Sequence, residues 1–244
     1  MTSFAGQGGH APHERAANAK NVNVHGQDYR RRGPGFAPGG TIAGMDTEKQ
    51  EIAATAAALV VDEGLDYGSA KRRALKALGL PARTPLPDKY EVEAAVREHI
   101  AIFHADTQPG ELRVLRELAL EWMERLAEFQ PLVGGAVWHG TATRMSDIQL
   151  QLFSDDPKAV EIWLINQGVD YEARSTSGLH GHEVPVLSTR SRSQALQEWV
   201  GVHLLIHETR DQRGALLPDE LGRKPRGDAQ ALRNLLASAE SDPS

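Results

Sequence analysis

The hydrophobic patterning of this chain predicts an α+β fold: an N-terminal helical region, then a small mixed sheet with flanking helices. Two observations carry that prediction. From about residue 46 to 130, apolar residues recur at three- and four-residue spacing over segments long enough to be helices. From about residue 131 the pattern changes to short alternating runs interleaved with one or two helical ones. Each element must bury one face, and helices packed on a small sheet allow both halves to do so.

The first 45 residues or so stand outside that pattern. Gly, Ala, Asn, His and Pro dominate them, no apolar period appears, and they end in Gly33-Pro34-Gly35 and Gly39-Gly40. Such a segment cannot bury enough apolar surface to offset its chain entropy, so a disordered tail is expected. Arg30-Arg31-Arg32, with Arg15 and Lys20, makes it basic against an acidic body.

The helical region, 46–130, divides into four segments. Asp46 or Thr47 is expected to cap the first, with Gln50 completing a capping-box pattern and Ile52, Ala56, Leu59 and Val60 on one face. Gly64 stops it. Ser69 is expected to open a short helix carrying Lys71, Arg72, Arg73 and Lys76, which ends at Gly79-Leu80-Pro81. A third helix is expected from about Asp88 to His104. The fourth runs from about Pro109, a residue tolerated in a first turn, to Phe129. Its stripe of Leu112, Leu115, Leu118, Ala119, Trp122, Leu126 and Phe129 is wide enough for a core.

In the third region, 131–244, the clearest strand is Asp147-Ile148-Gln149-Leu150-Gln151-Leu152-Phe153. Alternation puts Ile148, Leu150 and Leu152 on one face and Asp147, Gln149 and Gln151 on the other. A helix entered through Ser154-Asp155-Asp156-Pro157 follows, with either aspartate able to accept free helix amides. Further strands are expected at about 169–174, 183–189 and 199–207, and a last helix at about 228–238, capped by Asp228.

Composition limits what the chain can do. At 244 residues and 40% hydrophobic it can bury a sizeable core. The net charge of −6 with interspersed signs argues against a surface that coats nucleic acid, though not against a local basic groove. The absence of cysteine excludes disulfides, thiolate metal sites and cysteine nucleophiles. No apolar run approaches the roughly 20 residues that span a bilayer. The N-terminus has no apolar signal-peptide core, so no membrane association and a cytoplasmic location are expected. No phosphate-binding Gly-x-x-x-x-Gly-Lys-Ser/Thr loop and no Gly-x-Gly-x-x-Gly between strand and helix is present.

Most of the functional information lies in Gly134–Leu152. A glycine pair, Gly134-Gly135, is followed after eleven residues by Asp147 at the head of the alternating strand. A small-residue pair, about ten residues, then an aspartate and an alternating acidic/apolar strand resembles the signature of the nucleotidyltransferase superfamily. That resemblance implies a glycine turn whose amides approach a nucleoside triphosphate, and strand carboxylates that hold Mg2+. Hard divalent cations take oxygen ligands, and two of them can clamp the attacking and leaving oxygens of a phosphoryl transfer. It implies transfer of a nucleoside monophosphate from NTP to an acceptor the sequence does not identify.

The chain departs from the family pattern at the metal ligands. Asp147 matches the first carboxylate, but the second position holds Gln149, whose amide oxygen brings no charge. The third acid of the family falls, on strand alternation, at His203 in Val200–His207, and imidazole suits zinc better than magnesium. Glu208 lies just past that strand. Asp147, Gln149 and His203 are therefore the candidate catalytic residues, with Asp147 the one expected metal ligand and Mg2+ held weakly. Gly134, Gly135 and Arg144 are the candidate nucleotide contacts, and Lys158 and Arg174 are, like Arg144, candidate phosphate contacts from where they lie relative to Asp147. The alternative reading is a non-catalytic nucleotide-binding or protein-interaction module on the same fold. The basic tail and Tyr67–Arg73 are the segments open to a nucleic-acid or protein partner. The pairs His180/His182 and His203/His207 could ligate a transition metal if they converged.

Overall fold

In the computed structural model, residues 42–240 are described, apart from Pro157 and His180; for 42–45 and 240 only the backbone is described. The disorder and basic tether expected of the first 45 residues therefore fall almost wholly outside the described residues.

Three helices form the first layer: α1 (Ile42–Glu63), α2 (Tyr67–Ala77) and α3 (Lys89–Phe103). The first begins earlier than the Asp46/Thr47 cap would allow, so both residues lie inside the helix. Ala43 and Met45 are good helix formers and extend it backwards. In α2 the capping acceptor is Asp66, whose side chain takes the Ser69 amide, and not Ser69. Asp88 and Glu91 close a reciprocal capping box at the start of α3. Ile52, Ala56, Ala57 and Val61 of α1 bury against Ala70 and Ala74 of α2 and Val92, Val96 and Ile100 of α3.

The fourth helix, α4 (Gln108–Arg125), packs elsewhere. Its stripe of Leu115, Leu118, Ala119, Trp122 and Met123 belongs to the core of the sheet, so the hydrophobic cores divide between α3 and α4. The helix stops four residues short of Phe129; a 3-10 turn, Ala127–Phe129, and a left-handed Gln130 turn the chain into the sheet.

The sheet has six strands: β1 (Leu132–Gly134), β2 (Ile148–Phe153), β3 (Glu172–Ser177), β4 (Glu183–Ser193), β5 (Glu198–His207) and β6 (Arg226–Gly227). Their order is β3-β4-β5-β2-β1-β6. Only β2 and β5 run parallel, and every other pairing is antiparallel. The strand expected at 169–174 starts later, at Glu172, because Gly168 ends the preceding helix in a left-handed turn and Val169 closes it with a bond to Leu164. Between the strands lie α5 (Gly135–His139), α6 (Ala159–Asn166), α7 (Gln212–Ala215) and, last, α8 (Ala229–Glu240). Asp228 caps α8 by accepting the Ala231 amide, as its position in the sequence predicts.

One face of the sheet is the core. Ile148, Leu150 and Leu152 of β2 and Val202 and Leu204 of β5 are fully buried against α4, α6 and α8. The opposite face carries Gln149, Gln151, His203 and His207 together with Leu132, Phe153 and Leu205; all of these but partly exposed Gln149 are buried, and at one end Ala215 of α7 and Leu179 pack against Leu132 and Phe153.

Candidate functional site

The strand registers line up one rank of residues across the whole sheet. Arg226 pairs with Gly134, Gly134 with Gln149, Gln149 with His203, His203 with Ser188, and Ser188 with Glu172. Residues on one rank share a face, so this is a polar line about 24 Å long at ordinary strand spacing. The rank brings Gly134, Gln149 and His203 together from three separate segments. Asp147 sits two residues earlier on the same face, just ahead of β2.

Asp147 does not point freely into the space above the sheet. Its Oδ1 accepts the Gly201 amide at 3.1 Å and its Oδ2 lies 3.2 Å from His203 Nε2. Gly201 makes this approach possible: a Cβ there would stand 2.5 Å from Asp147 Oδ1. On its other side, His203 Nδ1 meets Ser188 Oγ at 2.9 Å. The imidazole is 5% exposed and the Asp147 side chain 38%, so the carboxylate forms the solvent-facing end of an Asp–His–Ser chain. Buried polar groups of this kind are held where they are by their partners, and losing one leaves the next unpaired.

The glycine pair lies beside this chain. Gly134 ends β1 and Gly135 opens α5 with φ +64°, a conformation that strains any side chain bearing Cβ. A Cβ on Gly135 would stand 3.5 Å from Gln149 Oε1, so Gln149 lies directly against the turn.

The other charged residues singled out in the sequence are engaged elsewhere. Arg144 pairs with Glu198, and its amide donates to Glu111. Lys158 pairs with Glu161 beside it on α6. Arg174 pairs with Glu172 at the β3 edge. Glu208 is exposed and pairs with Arg210. Of the basic patch on α2, Lys71 donates to the Pro87 carbonyl, Arg72 to Ser69 Oγ, and Arg73 pairs with Glu63. Asp155, one of the two expected helix caps, accepts instead from the Thr209 amide, while Asp156 takes the Lys158 amide at the α6 entry. His203 and His207 both lie on β5, but His207 stacks its ring near Phe153.

Sequence reasoning missed Arg226. It stands next to Gly134 at the end of the polar rank, with its Cγ 3.4 Å from where a Gly134 Cβ would be. Its Nη1 donates to the Ala215 carbonyl, its Nε has no partner, and burial alone lowers its pKa. Among the described residues, then, no carboxylate neutralises this half-buried guanidinium. Nearby on the same face, Gln151 is buried with its Oε1 unpartnered. A lone arginine in a two-residue strand after a loop gives no period or motif, and only the pairing with Gly134 reveals it.

The face can therefore offer an anion one guanidinium and a metal one half-exposed carboxylate with an imidazole behind it. Among the described residues, no third His, Asp or Glu stands close enough to Asp147 and His203 to complete a three-ligand metal group there. Compared with models of known protein families and with curated protein sequences, the chain matches none.

Proposed function

We propose that the polar face of the sheet is a nucleotide site of nucleotidyltransferase type whose metal set is incomplete. The face binds the phosphates of an NTP, and nucleoside monophosphate transfer to an acceptor is slow or absent. The observation that carries this reading is the rank Gly134–Gln149–His203, with Asp147 at its edge and Arg226 at its end. It sets the glycine turn, the matching aspartate, the two altered ligand positions and an unneutralised cation side by side.

Arg226 suits a phosphate oxygen, to which a guanidinium can donate two parallel bonds. Among the described residues, Asp147 is the one carboxylate paired with His203 and open to Mg2+. To ligate it fully, Asp147 would have to give up His203 or the Gly201 amide, which makes a bound metal weak. Two divalent ions beside one carboxylate would repel each other with little to screen them, so a two-metal state is disfavoured. This favours the binding-module reading over turnover.

Calorimetric titration of Mg-ATP and Mg-CTP into the wild type, Asp147→Ala, Gln149→Asp and Arg226→Gln tests the proposal. Arg226→Gln is expected to weaken binding with or without metal. Asp147→Ala should abolish only the metal-dependent part, and Gln149→Asp should strengthen it. Equal binding by all four proteins would remove the nucleotide from this face.

A further inference from the structure

Asp62, His99 and His104 come together at the far side of the helical layer, away from the polar rank. Asp62 is in the last turn of α1, His99 in the last turns of α3, and His104 is the residue that caps α3. Asp62 Oδ2 is 3.6 Å from His99 Nε2 and Asp62 Oδ1 is 3.1 Å from His104 Nε2. One ligand atom from each residue lies within 4.8 Å of the other two. Among the described residues this is the one cluster of three such side chains with that geometry.

The geometry points to a binding site for a divalent transition-metal ion of the zinc type, formed by Asp62, His99 and His104. With bonds of about 2.0–2.1 Å, the ligand atoms of a tetrahedral zinc site stand about 3.3 Å apart. The Asp62–His104 and Asp62–His99 contacts, 3.1 and 3.6 Å and made through different carboxylate oxygens, bracket that value. With all ligand atoms within 4.8 Å of one another, an edge needs at most about 1.5 Å of closure to reach tetrahedral spacing, which rotamer adjustments of half-exposed Asp62 and of partly exposed His104 can supply.

The donor set is selective. Two imidazoles and one carboxylate suit zinc, cobalt, nickel or iron(II) and do not suit magnesium or calcium, which want oxygen alone. The electrostatics add a second, independent argument. Asp62 meets both histidines where α1 and α3 end, so the carboxyl ends of two helices converge on this point. Each carries partial negative charge that favours a cation there. The site is also shaped for entry and retention. His99 and His104 side chains are 16% and 29% exposed, Asp62 is 50% exposed, and the tilted His99–Phe103 ring contact at 4.7 Å holds one imidazole in place.

A bound ion would tie the end of α1 to the end of α3. The neighbouring Val61 carbonyl accepts from Thr143 Oγ1, in the loop that leads to Asp147. The ion would thus brace the seam between the helical layer and the sheet.

The test uses the untagged full-length protein, stripped of metal with a chelator that is then removed. Zn2+ is titrated against a chromophoric competitor, and Co2+ absorption reports ligand geometry. Expected is one equivalent of Zn2+ whose affinity falls at least ~10-fold in His99→Asn, in His104→Asn and in Asp62→Asn, with loss of the intense Co2+ bands of a low-coordinate site. Melting temperature should rise with Zn2+ in the wild type alone. Asp62→Asn keeps the side-chain shape, so it decides the matter if a histidine variant fails to fold. Zn2+ binding unchanged in Asp62→Asn and both histidine variants would assign the metal to histidines elsewhere in the chain. No binding by the wild type up to ~1 mM Zn2+ would leave the cluster a hydrogen-bonded ion pair. Either result overturns the site.

Discussion

The two faces of β2 and β5 are made by the same twenty or so ångströms of backbone, yet they do opposite things. On one, Ile148, Leu150, Leu152, Val202 and Leu204 are fully buried and touch the helices of the main core. On the other, Gln149 and His203 share one rank with Asp147 two residues before it, and of the three Asp147 and Gln149 keep partial exposure while His203 is buried. Alternation at a period of two lets one strand anchor itself with every second residue and display chemistry with the rest. The core face fixes the register to the residue, and the register in turn places Gln149 opposite His203. Position on the polar face is therefore bought with burial on the apolar one.

Four substitutions would break or sharpen this contrast. The largest effect is expected at Leu150, which is fully buried. Leu150→Ala should cost about 3 kcal/mol in unfolding free energy through lost burial and the cavity left behind. Its neighbour Gln149→Ala, on the other face, should cost less than ~1 kcal/mol. Urea denaturation of both proteins measures the difference, and comparable losses would mean the polar face is no less structural than the core.

An intermediate effect belongs to Gly201, where the faces meet. A Cβ there would press within 2.5 Å of Asp147 Oδ1 and 2.7 Å of its Cγ. Gly201→Ala should push the carboxylate off both the Gly201 amide and His203, at a cost of about 2 kcal/mol. At one fixed pH, the NMR resonances of the His203 imidazole nitrogens should then move from their wild-type positions, because the Asp147 contact at Nε2 is lost. Unchanged resonances would show that the carboxylate still reaches His203.

The smallest effect separates both faces from the seam that joins the layers. Glu93, 8% exposed on α3, bonds to Arg97 and to Arg223 from the loop before β6. Burial pushes its carboxyl pKa up, but the bonds to Arg223 and Arg97 outweigh this and hold it below the ordinary value. The unfolded chain therefore takes up the proton first as pH falls. Glu93 contributes its full stability above the ordinary carboxylate range, and the contribution is lost as pH drops through its lowered folded value. Glu93→Gln should cost about 1 kcal/mol at pH 7 and progressively less as pH falls below the ordinary carboxylate range, where the wild type loses the same support. A constant gap between the two proteins across that range would contradict the assignment.

Much of this arrangement was legible in the sequence, because much of it is periodic. The stripe from Leu115 to Trp122 read as a core helix, and the run from Ile148 to Phe153 as a strand with a polar side; both packings follow from those periods. Alternation put Asp147 and Gln149 on one face, and it was the resemblance, with its third acid on a later strand, that set His203 beside them. What the sequence could not supply was contact between distant segments with no period of their own. Asp62 and His104 are 42 positions apart, and Ser188 becomes a partner of His203 only through strand register. Arg226 reaches Gly134 only by edge pairing. The α4 packing is a related case: its stripe was clear, but which core it served depended on how the chain turned at Gln130.

The single parallel pairing in the sheet also governs the order in which the molecule can assemble. Hairpin neighbours such as β3 and β4, or β4 and β5, close across short loops and can form early. β2 and β5 cannot: Asp147 and the Gly201 amide it accepts are 54 positions apart. That closure carries a large chain-entropy cost that only the finished hairpins and the buried apolar face can offset. The hydrogen bond between Asp147 and His203 spans this junction, so its appearance during refolding would mark the docking of β2 onto the β3-β4-β5 hairpins.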